Sequence, residues 1–186
     1  MMAAGTLAVL YVVFAAASKP DPASGLAAYA TGPMARLTVM ADAPPMSTRT
    51  LRDSAGAETN LQAFEGEVLA VNLWATWCAP CMEEMPTLGA LQRRYEGRLL
   101  VIPVSVDSTP DLEKAQRELA RLSDGSLMFL SDISRGILFD ARTAGMPVTI
   151  FYDREGRELA RLAGGADWSS PEAYALVDAI LAEHAP

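Results

Sequence analysis

Residues 68–81 read VLAVNLWATWCAPC and contain both of the chain's cysteines, Cys78 and Cys81. The apolar run from Val68 to Leu73 predicts a buried parallel strand. The residues that follow the cysteines, from Met82 to Tyr95, predict a helix. A Cys-x-x-Cys pair between a strand and a helix is the context in which this spacing indicates dithiol redox chemistry.

The predicted position of the pair at the start of a helix explains why it would react. A thiolate attacks a disulfide far better than a thiol does, and the free N–H groups and the dipole of a helix N-terminus favour an anion. We therefore expect Cys78 to be exposed, with a lowered pKa, and to act as the nucleophile. We expect Cys81, one turn further along, to be more buried and to resolve the mixed disulfide. Pro80 suits the first helical turn, where its missing N–H costs nothing.

Three other interpretations of the cysteine pair are weaker. A structural disulfide that closes so short a loop restrains little chain entropy. Half of a zinc site would need a second cysteine pair, and the only histidine, His184, is far along the chain. The third interpretation, an accidental pair of core cysteines, is disfavoured by the strand and helix that flank the motif.

The residues around the pair resemble a known family. Residues 71–81, followed by Glu83-Glu84-Met85-Pro86, are similar to the membrane-anchored thioredoxin-like thiol-disulfide oxidoreductases of the TlpA/ResA family, and most of all to its TlpA branch. The resemblance runs from about Leu37 to the C-terminus. It implies an α/β chain with a thioredoxin-like fold, a central mixed β-sheet with helices on both faces, and an N-terminal hairpin extension. It also implies an enzyme on the periplasmic side of the bacterial inner membrane that reduces disulfides in client proteins of copper or haem assembly.

Residues 145–153, GMPVTIFYD, form the second informative segment. A proline at the start of an apolar strand is unusual, and the resemblance implies that Pro147 is a cis-proline opposite the cysteine pair. It also implies that the backbone of Met146 pairs with an extended client segment, a strand-addition mode of binding. A trans proline that only ends a loop is the alternative. Trp77 and Pro80 complete the expected client-binding surface.

Two polar residues near the pair bear on proton transfer. By the same resemblance, ordinary thioredoxins carry a buried aspartate where this chain has Asn72, and an amide cannot take up the proton of a thiol. Glu84 lies three residues beyond Cys81 and so on the same helix face, and ResA-type enzymes have a functional glutamate there. Two interpretations of Glu84 stay open: a general base, or an acidic residue that suits the first turns of a helix. Trp168 is expected to pack rather than to contact a ligand.

Composition excludes one class of partner. The chain has 15 Lys and Arg against 23 Asp and Glu, a net charge of −8. Nucleic acid is not an expected partner, because phosphate binding needs clustered basic residues. We expect no cofactor beyond the Cys78–Cys81 redox disulfide and no metal. The expected molecule is a monomer that meets client dithiols or disulfides and a membrane electron donor.

The chain divides into three predicted parts. Residues 1–18 are apolar, and either an uncleaved membrane anchor or a cleaved signal peptide fits them; the resemblance favours the anchor. Residues 19–45 are rich in proline and glycine and predict a linker with a short ordered piece near Arg36 to Met40. Residues 46–186 are the predicted thioredoxin-like domain. Within it, residues 53–56 predict the turn of a hairpin. Pro103, inside the strand after the cysteine-bearing helix, predicts a bulge or an unpaired edge.

Three functions stay open from the sequence. The first is a periplasmic thiol:disulfide reductase that serves cytochrome c or cytochrome oxidase assembly. The second is a thiol oxidase that introduces disulfides, and reduction potential decides between these two. The third is a copper-binding chaperone that uses Cys78 and Cys81 as soft ligands, with Met82 and Met85 nearby.

Overall fold

The computed structural model describes residues 25–184. The predicted anchor or signal peptide at residues 1–18 and the first part of the predicted linker lie outside that range. Within residues 25–184, none of the helices is both long enough and apolar enough to span a membrane.

One mixed sheet organises the described residues. Its strands are β1 (Leu37–Val39), β2 (Leu51–Asp53), β3 (Glu58–Thr59), β4 (Leu69–Trp74), β5 (Leu100–Ser105), β6 (Leu130–Ser131), β7 (Val148–Tyr152) and β8 (Glu158–Ala163). They lie in the order β1-β8-β7-β4-β5-β6-β2-β3. β4 is therefore central, parallel to β5 and antiparallel to β7, and all of its residues are buried. The apolar run before the cysteines thus forms the middle of the fold.

Helices connect and cover the strands. The α-helices in the described range are α1 (Ala79–Arg94), α2 (Leu112–Leu122), α3 (Gly136–Asp140) and α4 (Pro171–Glu183). Short 3-10 helices occupy Ala27–Tyr29, Gly32–Met34, Leu61–Phe64 and Thr109–Asp111. α1 follows β4 directly, so the cysteine pair lies at the end of the central strand.

The alternation of side chains along β4 assigns helices to the two faces of the sheet. Asn72 points toward α1, where its amide donates a hydrogen bond to Glu84. Val71, one position earlier, points to the other face and lines a cavity with Ile137 of α3. The predicted mixed sheet with helices on both faces is therefore confirmed.

Part of the predicted linker belongs to the folded unit. Leu26 and Met34 are buried, and β1 pairs with β8 in an antiparallel register. The linker prediction is wrong for residues 26–34, because apolar residues there pack on α4. The ordered piece predicted near Arg36 to Met40 is confirmed by β1. The hairpin predicted around residues 53–56 is confirmed, since β2 and β3 pair antiparallel across that turn.

Pro103 is accommodated without a bulge. It lies in regular register opposite Asn72 of β4, so the expected bulge is wrong. The N–H groups of Leu100 and Val106 donate to Val68, directly before β4, and to Trp74 at its end. Strand alternation therefore turns the nitrogen of Pro103 away from β4. β6 pairs with β5 only from Val104 onward, so the missing N–H of Pro103 faces an edge with no ladder partner. The unpaired edge, the other alternative predicted for Pro103, is confirmed.

Candidate active site

A buried carboxylate holds the turn between β4 and α1. Asp107, just past the end of β5, accepts hydrogen bonds from the Thr76 N–H at 3.0 Å and from the Thr76 hydroxyl at 2.9 Å. It also accepts one from the Ser105 hydroxyl at 2.9 Å. Because β4 and β5 are parallel, both end at the same edge of the sheet, and Asp107 is within reach of the turn. Thr76 is thereby fixed two residues before Cys78.

Cys78 and Cys81 are joined by a disulfide at the start of α1. Cys78 is the N-cap residue of α1, and Pro80 lies in the first turn. Cys81 is fully buried, whereas Cys78 is 7% exposed. The expectation of an exposed Cys78 is wrong for this oxidised form, because its sulfur is bonded to that of the buried Cys81.

Glu84 is a buried carboxylate on α1, with 3% of its surface exposed. Its Oε1 accepts a hydrogen bond from the Asn72 amide at 2.8 Å. Its Oε2 accepts from the Ala166 N–H at 3.0 Å and from the Trp168 indole N–H at 3.1 Å. All three donors are uncharged. Within residues 25–184, therefore, no cation forms a hydrogen bond or a salt bridge with this carboxylate.

The surroundings of Glu84 bring its titration to neutral pH. Burial raises the pKa of Glu84 from an ordinary 4.5 to about 7, because the ionised carboxylate loses solvation. The hydrogen bonds from Ala166, Asn72 and Trp168 and the charge of Arg36 act in the opposite direction and lower the pKa. A carboxyl group poised near neutrality can both take up and return a proton at physiological pH.

Asn72 links Glu84 to the neighbouring strand. Its amide nitrogen also donates to the Thr149 hydroxyl at 2.9 Å, and Thr149 is its register partner across β4 and β7. Its amide oxygen is buried and has no hydrogen-bond partner among the described residues. Asn72 therefore uses its donor side to hold Glu84 in place.

The second predicted segment reaches the same site. The Met146–Pro147 peptide bond is cis, as the resemblance implied. Both residues line a cavity of about 610 Å³ together with Pro80 and Glu84. Neither the N–H nor the C=O of Met146 forms a hydrogen bond with a residue of the described range. Both groups are thus open to an extended chain that lies beside the residues preceding β7.

Trp77 is the exposed aromatic residue next to the cysteine pair, with 61% of its surface exposed. The guanidinium of Arg135 lies 6.0 Å from the centre of its ring, at the outer limit of a cation–π contact. Arg135 is itself anchored, since its Nε donates to the Val106 C=O at 3.0 Å. Trp74, by contrast, is fully buried, so Trp77 is the tryptophan of the motif that is open to solvent.

The two cysteines are the soft donors that a metal site here would use. Both sulfurs are joined in the disulfide. Across residues 25–184, no group of three or more His, Cys, Asp or Glu side chains is arranged to hold a metal ion. The copper-binding interpretation stays a prediction.

Comparison with known protein families matches residues 39–177 to the family described as Redoxin. The chain belongs to the Redoxin family. This Redoxin chain is similar to the thioredoxin-like protein YneN of Bacillus subtilis, with 36% identity over 61% of this chain and 65% of YneN. It is also similar to the thiol:disulfide interchange protein HelX of Rhodobacter capsulatus, with 35% identity over 59% of this chain and 61% of HelX. The match thus spans less than two thirds of the length of either relative.

Solved structures agree with the fold of this Redoxin chain. The thioredoxin domain of a thiol-disulfide oxidoreductase from Bacteroides vulgatus superimposes with a TM-score of 0.62 at 20% identity, over 75% of this chain and 96% of that one. At this identity the likeness shows the fold, which is thioredoxin-like as predicted. Family and relatives likewise confirm the resemblance to thioredoxin-like thiol-disulfide oxidoreductases.

Sequence reasoning missed several residues around Glu84 in this Redoxin chain. Trp168 does pack, edge-on against Phe151 with ring centres 5.8 Å apart, but its indole N–H also binds Glu84. Its expected role was therefore incomplete, and no local signal links residues so far apart in the chain. The contact of Thr149 with Asn72 could be inferred only once β4 and β7 are known to pair in this register. Arg36 begins the ordered piece predicted within the linker, but no pattern indicated that its side chain lines the cavity next to Glu84.

Proposed function

We propose that this chain is a thiol-disulfide oxidoreductase that reduces disulfides of client proteins through Cys78 and Cys81. The observation that carries the proposal is the Cys78–Cys81 disulfide at the start of α1, next to the cavity lined by Glu84 and cis-Pro147. A bridge between residues three apart contributes little as a staple of the fold. Thiol-disulfide exchange accounts for it better.

The proposed reaction starts from the reduced protein. The Cys78 thiolate, at the N-terminus of α1 where an anion is favoured, attacks one sulfur of a client disulfide. A mixed disulfide forms, and the other client sulfur leaves as a thiolate. Cys81 then loses its proton and attacks the Cys78 sulfur, which releases the second client thiolate and leaves the Cys78–Cys81 disulfide. Two electrons pass to the client, and each client thiolate takes up a proton.

Glu84 is the proposed acceptor of the Cys81 proton. It lies three residues beyond Cys81 and therefore on the same side of α1. With a pKa of about 7, roughly half of the molecules hold the carboxylate needed to accept a proton at neutral pH. The alternative, an acidic residue that merely suits the start of a helix, fits poorly with a side chain that is buried and bound by three donors.

The proposed client-binding edge combines backbone and aromatic contacts. An extended client segment would hydrogen-bond to the free N–H and C=O of Met146. Pro80 and Pro147 line the adjoining cavity. The exposed ring of Trp77 offers an apolar surface on the same approach. Together these groups would hold a client cystine beside Cys78.

The proposed location is the periplasmic side of the inner membrane, with clients in cytochrome c or cytochrome oxidase assembly and a membrane donor that reduces the pair again. The support is the resemblance of residues 71–86 to the TlpA/ResA family and the relative named a thiol:disulfide interchange protein. An oxidising compartment also provides the client disulfides that such a reductase acts on.

Trapping a client tests the proposal. In a full-length, exported Cys81→Ala variant, the mixed disulfide at Cys78 cannot be resolved, so client proteins accumulate on it and mass spectrometry identifies them. Cys78→Ala is the matched control, because it keeps only the buried thiol. Capture by Cys81→Ala no greater than by Cys78→Ala would contradict the proposed exchange.

A redox titration tests the direction of the reaction. A reductase requires a midpoint potential well below the roughly −120 mV of strong thiol oxidants. A potential near that of the strong oxidants would make the chain an oxidase and overturn this part of the proposal. The trapping result would be unaffected, so the two parts fail separately.

A further inference from the structure

Arg36 lies outside the predicted thioredoxin-like domain, but its side chain reaches the cavity lined by Glu84 and Pro147. It lies directly before β1, in the segment that the sequence predicted as a linker. Its side chain lines the same cavity as Glu84 and Pro147. Its Nη2 donates a hydrogen bond to the Gly165 C=O at 3.0 Å. A side chain from the N-terminal segment therefore contacts the loop at residues 164–168.

Gly164 makes room for the guanidinium. A Cβ on Gly164 would lie 2.6 Å from Arg36 Nη1, and the backbone φ of +84° also favours glycine. The N–H of Gly164 donates to the Pro147 C=O at 2.7 Å. The guanidinium thus lies against the backbone that also holds cis-Pro147.

The other end of the 164–168 loop binds Glu84. The Ala166 N–H and the Trp168 indole both donate to Glu84 Oε2. The Trp168 backbone N–H donates to the Thr87 hydroxyl on α1 at 3.1 Å. Residues 164–168 therefore form a short bridge between Arg36 at one end and the buried carboxylate at the other.

We propose that Arg36 is a positioning residue of the redox site, which fixes the 164–168 loop and thereby the hydrogen bonds that the Glu84 carboxylate receives. This assignment deepens the proposed function, because it connects the N-terminal segment to the group that takes the Cys81 proton. The specific contribution of Arg36 has two separable parts, the hydrogen bond to Gly165 and a positive charge beside the cavity.

The charged groups around Glu84 determine what the charge of Arg36 does. Glu83 of α1 and Asp167 of the loop are the acidic side chains that line the cavity with Glu84, and Arg36 is its basic one. The neighbours of Glu84 on β4 and β7, Asn72 and Thr149, are uncharged. Without the charge of Arg36, every charged side chain that lines the cavity is acidic. The pKa of Glu84 then rises, since Arg36 lowers it.

Two substitutions separate the two parts. Arg36→Met removes both the donor and the charge, and Arg36→Lys keeps the charge while losing the planar fork. Arg36 is exposed, so both variants should fold. Arg52→Met is the matched control, because Arg52 also donates to a backbone C=O, that of Gly56, and pairs with Glu58 near the far end of the sheet.

The measurement uses the oxidised full chain. The titration of Glu84 is followed by NMR with labelled glutamate carboxyl carbons, assigned with Glu84→Gln, and the Ala166 amide is followed by hydrogen exchange. In Arg36→Met we expect the midpoint of Glu84 to move up and the Ala166 amide to exchange on the order of tenfold faster, as for the loss of one supporting hydrogen bond. In Arg36→Lys the midpoint returns toward that of the wild type, while the amide stays fast.

The outcomes are decisive and independent of client trapping. If Arg36→Met matches Arg52→Met in both the Glu84 midpoint and the Ala166 exchange rate, the assignment of Arg36 is overturned. If both readouts change but Cys81→Ala captures no client, Arg36 still positions Glu84 and it is the proposed function that fails.

Discussion

Two buried glutamates, one on each side of the sheet, have opposite kinds of partner. Glu84 and Glu158 are each 3% exposed. Glu158, on β8, receives hydrogen bonds from Arg161 at both of its oxygens, at 2.5 and 2.6 Å. Glu84 receives hydrogen bonds only from two amides and an indole. Burial is equal, so the difference lies in whether a cation sits within bonding distance.

The difference separates a structural carboxylate from one able to exchange a proton. Removing one partner of a buried ion pair is strongly destabilising, so Glu158 has a structural role beside Arg161. The neutral donors of Glu84 lower its pKa, but burial outweighs them and raises that pKa to about 7. Their surroundings agree with this division. Glu84 lines the cavity next to the cysteines, whereas Glu158 lines a cavity of about 690 Å³ on the opposite face of the sheet.

The largest expected effect comes from breaking the ion pair of Glu158. Glu158→Gln leaves the largely buried guanidinium of Arg161 without its counter-charge, which should lower the free energy of unfolding by about 3 to 5 kcal/mol. Urea denaturation of the oxidised protein measures it. Glu155→Gln is the control, since Glu155 is exposed and pairs with Arg157 at 3.3 Å; its cost should stay below about 1 kcal/mol. Equal costs for the two variants would remove the structural half of the comparison.

A smaller loss of unfolding free energy is expected from the titration of Glu84 as the pH rises. Between an ordinary pKa of 4.5 and the folded value of about 7, the folded protein keeps a proton at Glu84 that the unfolded chain has released. Stability from this group is therefore fully present below about pH 4.5 and is lost as the pH rises to about 7. The loss is on the order of 3 kcal/mol.

Glu84→Gln isolates that contribution, because every other titrating group is shared with the wild type. The variant should gain stability relative to the wild type, by on the order of 3 kcal/mol, when urea denaturation at about pH 8 is compared with about pH 4. A difference between the two proteins that stays constant across this range would mean that Glu84 titrates normally.

The smallest expected effect concerns one donor to Glu84. Trp168→Phe removes the indole N–H, so the pKa of Glu84 should rise and the ionised protein should lose about 1 kcal/mol of stability. NMR titration of Glu84 and urea denaturation above pH 7 measure the two changes. Trp74→Phe is the control, because Trp74 is as buried but its indole N–H has no partner within residues 25–184. A rise in the Glu84 midpoint as large in Trp74→Phe as in Trp168→Phe would exclude the indole as its cause.

Local patterns were enough to predict the parts of the site that lie close together in the sequence. The run from Val68 to Cys81 specified the central strand, the turn and the helix start, and the resemblance supplied cis-Pro147. The hydrogen bond from Trp168 to Glu84 could not be predicted, because it depends on how a loop far along the chain packs against α1. The contact of Arg36 with Gly165 could not be predicted for a related reason: an ordered piece was predicted near Arg36 to Met40, but its position against the distant 164–168 loop was not.

The solvent exposure of Cys78 was also predicted wrongly from the sequence. The position of a residue at a helix start predicts access to solvent, but the disulfide turns the sulfur toward Cys81 and leaves 7% of the residue exposed. Spacing alone also could not show that Glu84 has only neutral partners. That feature depends on strands β4 and β7 and on the 164–168 loop at once.

The most direct test of the central claim, that Glu84 takes the proton of Cys81, follows the second half of the exchange in time. The reduced protein is mixed rapidly with a disulfide peptide at a series of pH values, and the decay of the mixed disulfide at Cys78 is recorded by acid quenching and mass spectrometry. We predict that in the wild type the decay rate increases with pH, with a midpoint near the Glu84 pKa of about 7. In Glu84→Gln this increase should be absent, and the mixed disulfide should resolve more slowly at neutral pH. Superimposable profiles for the two proteins would contradict the claim.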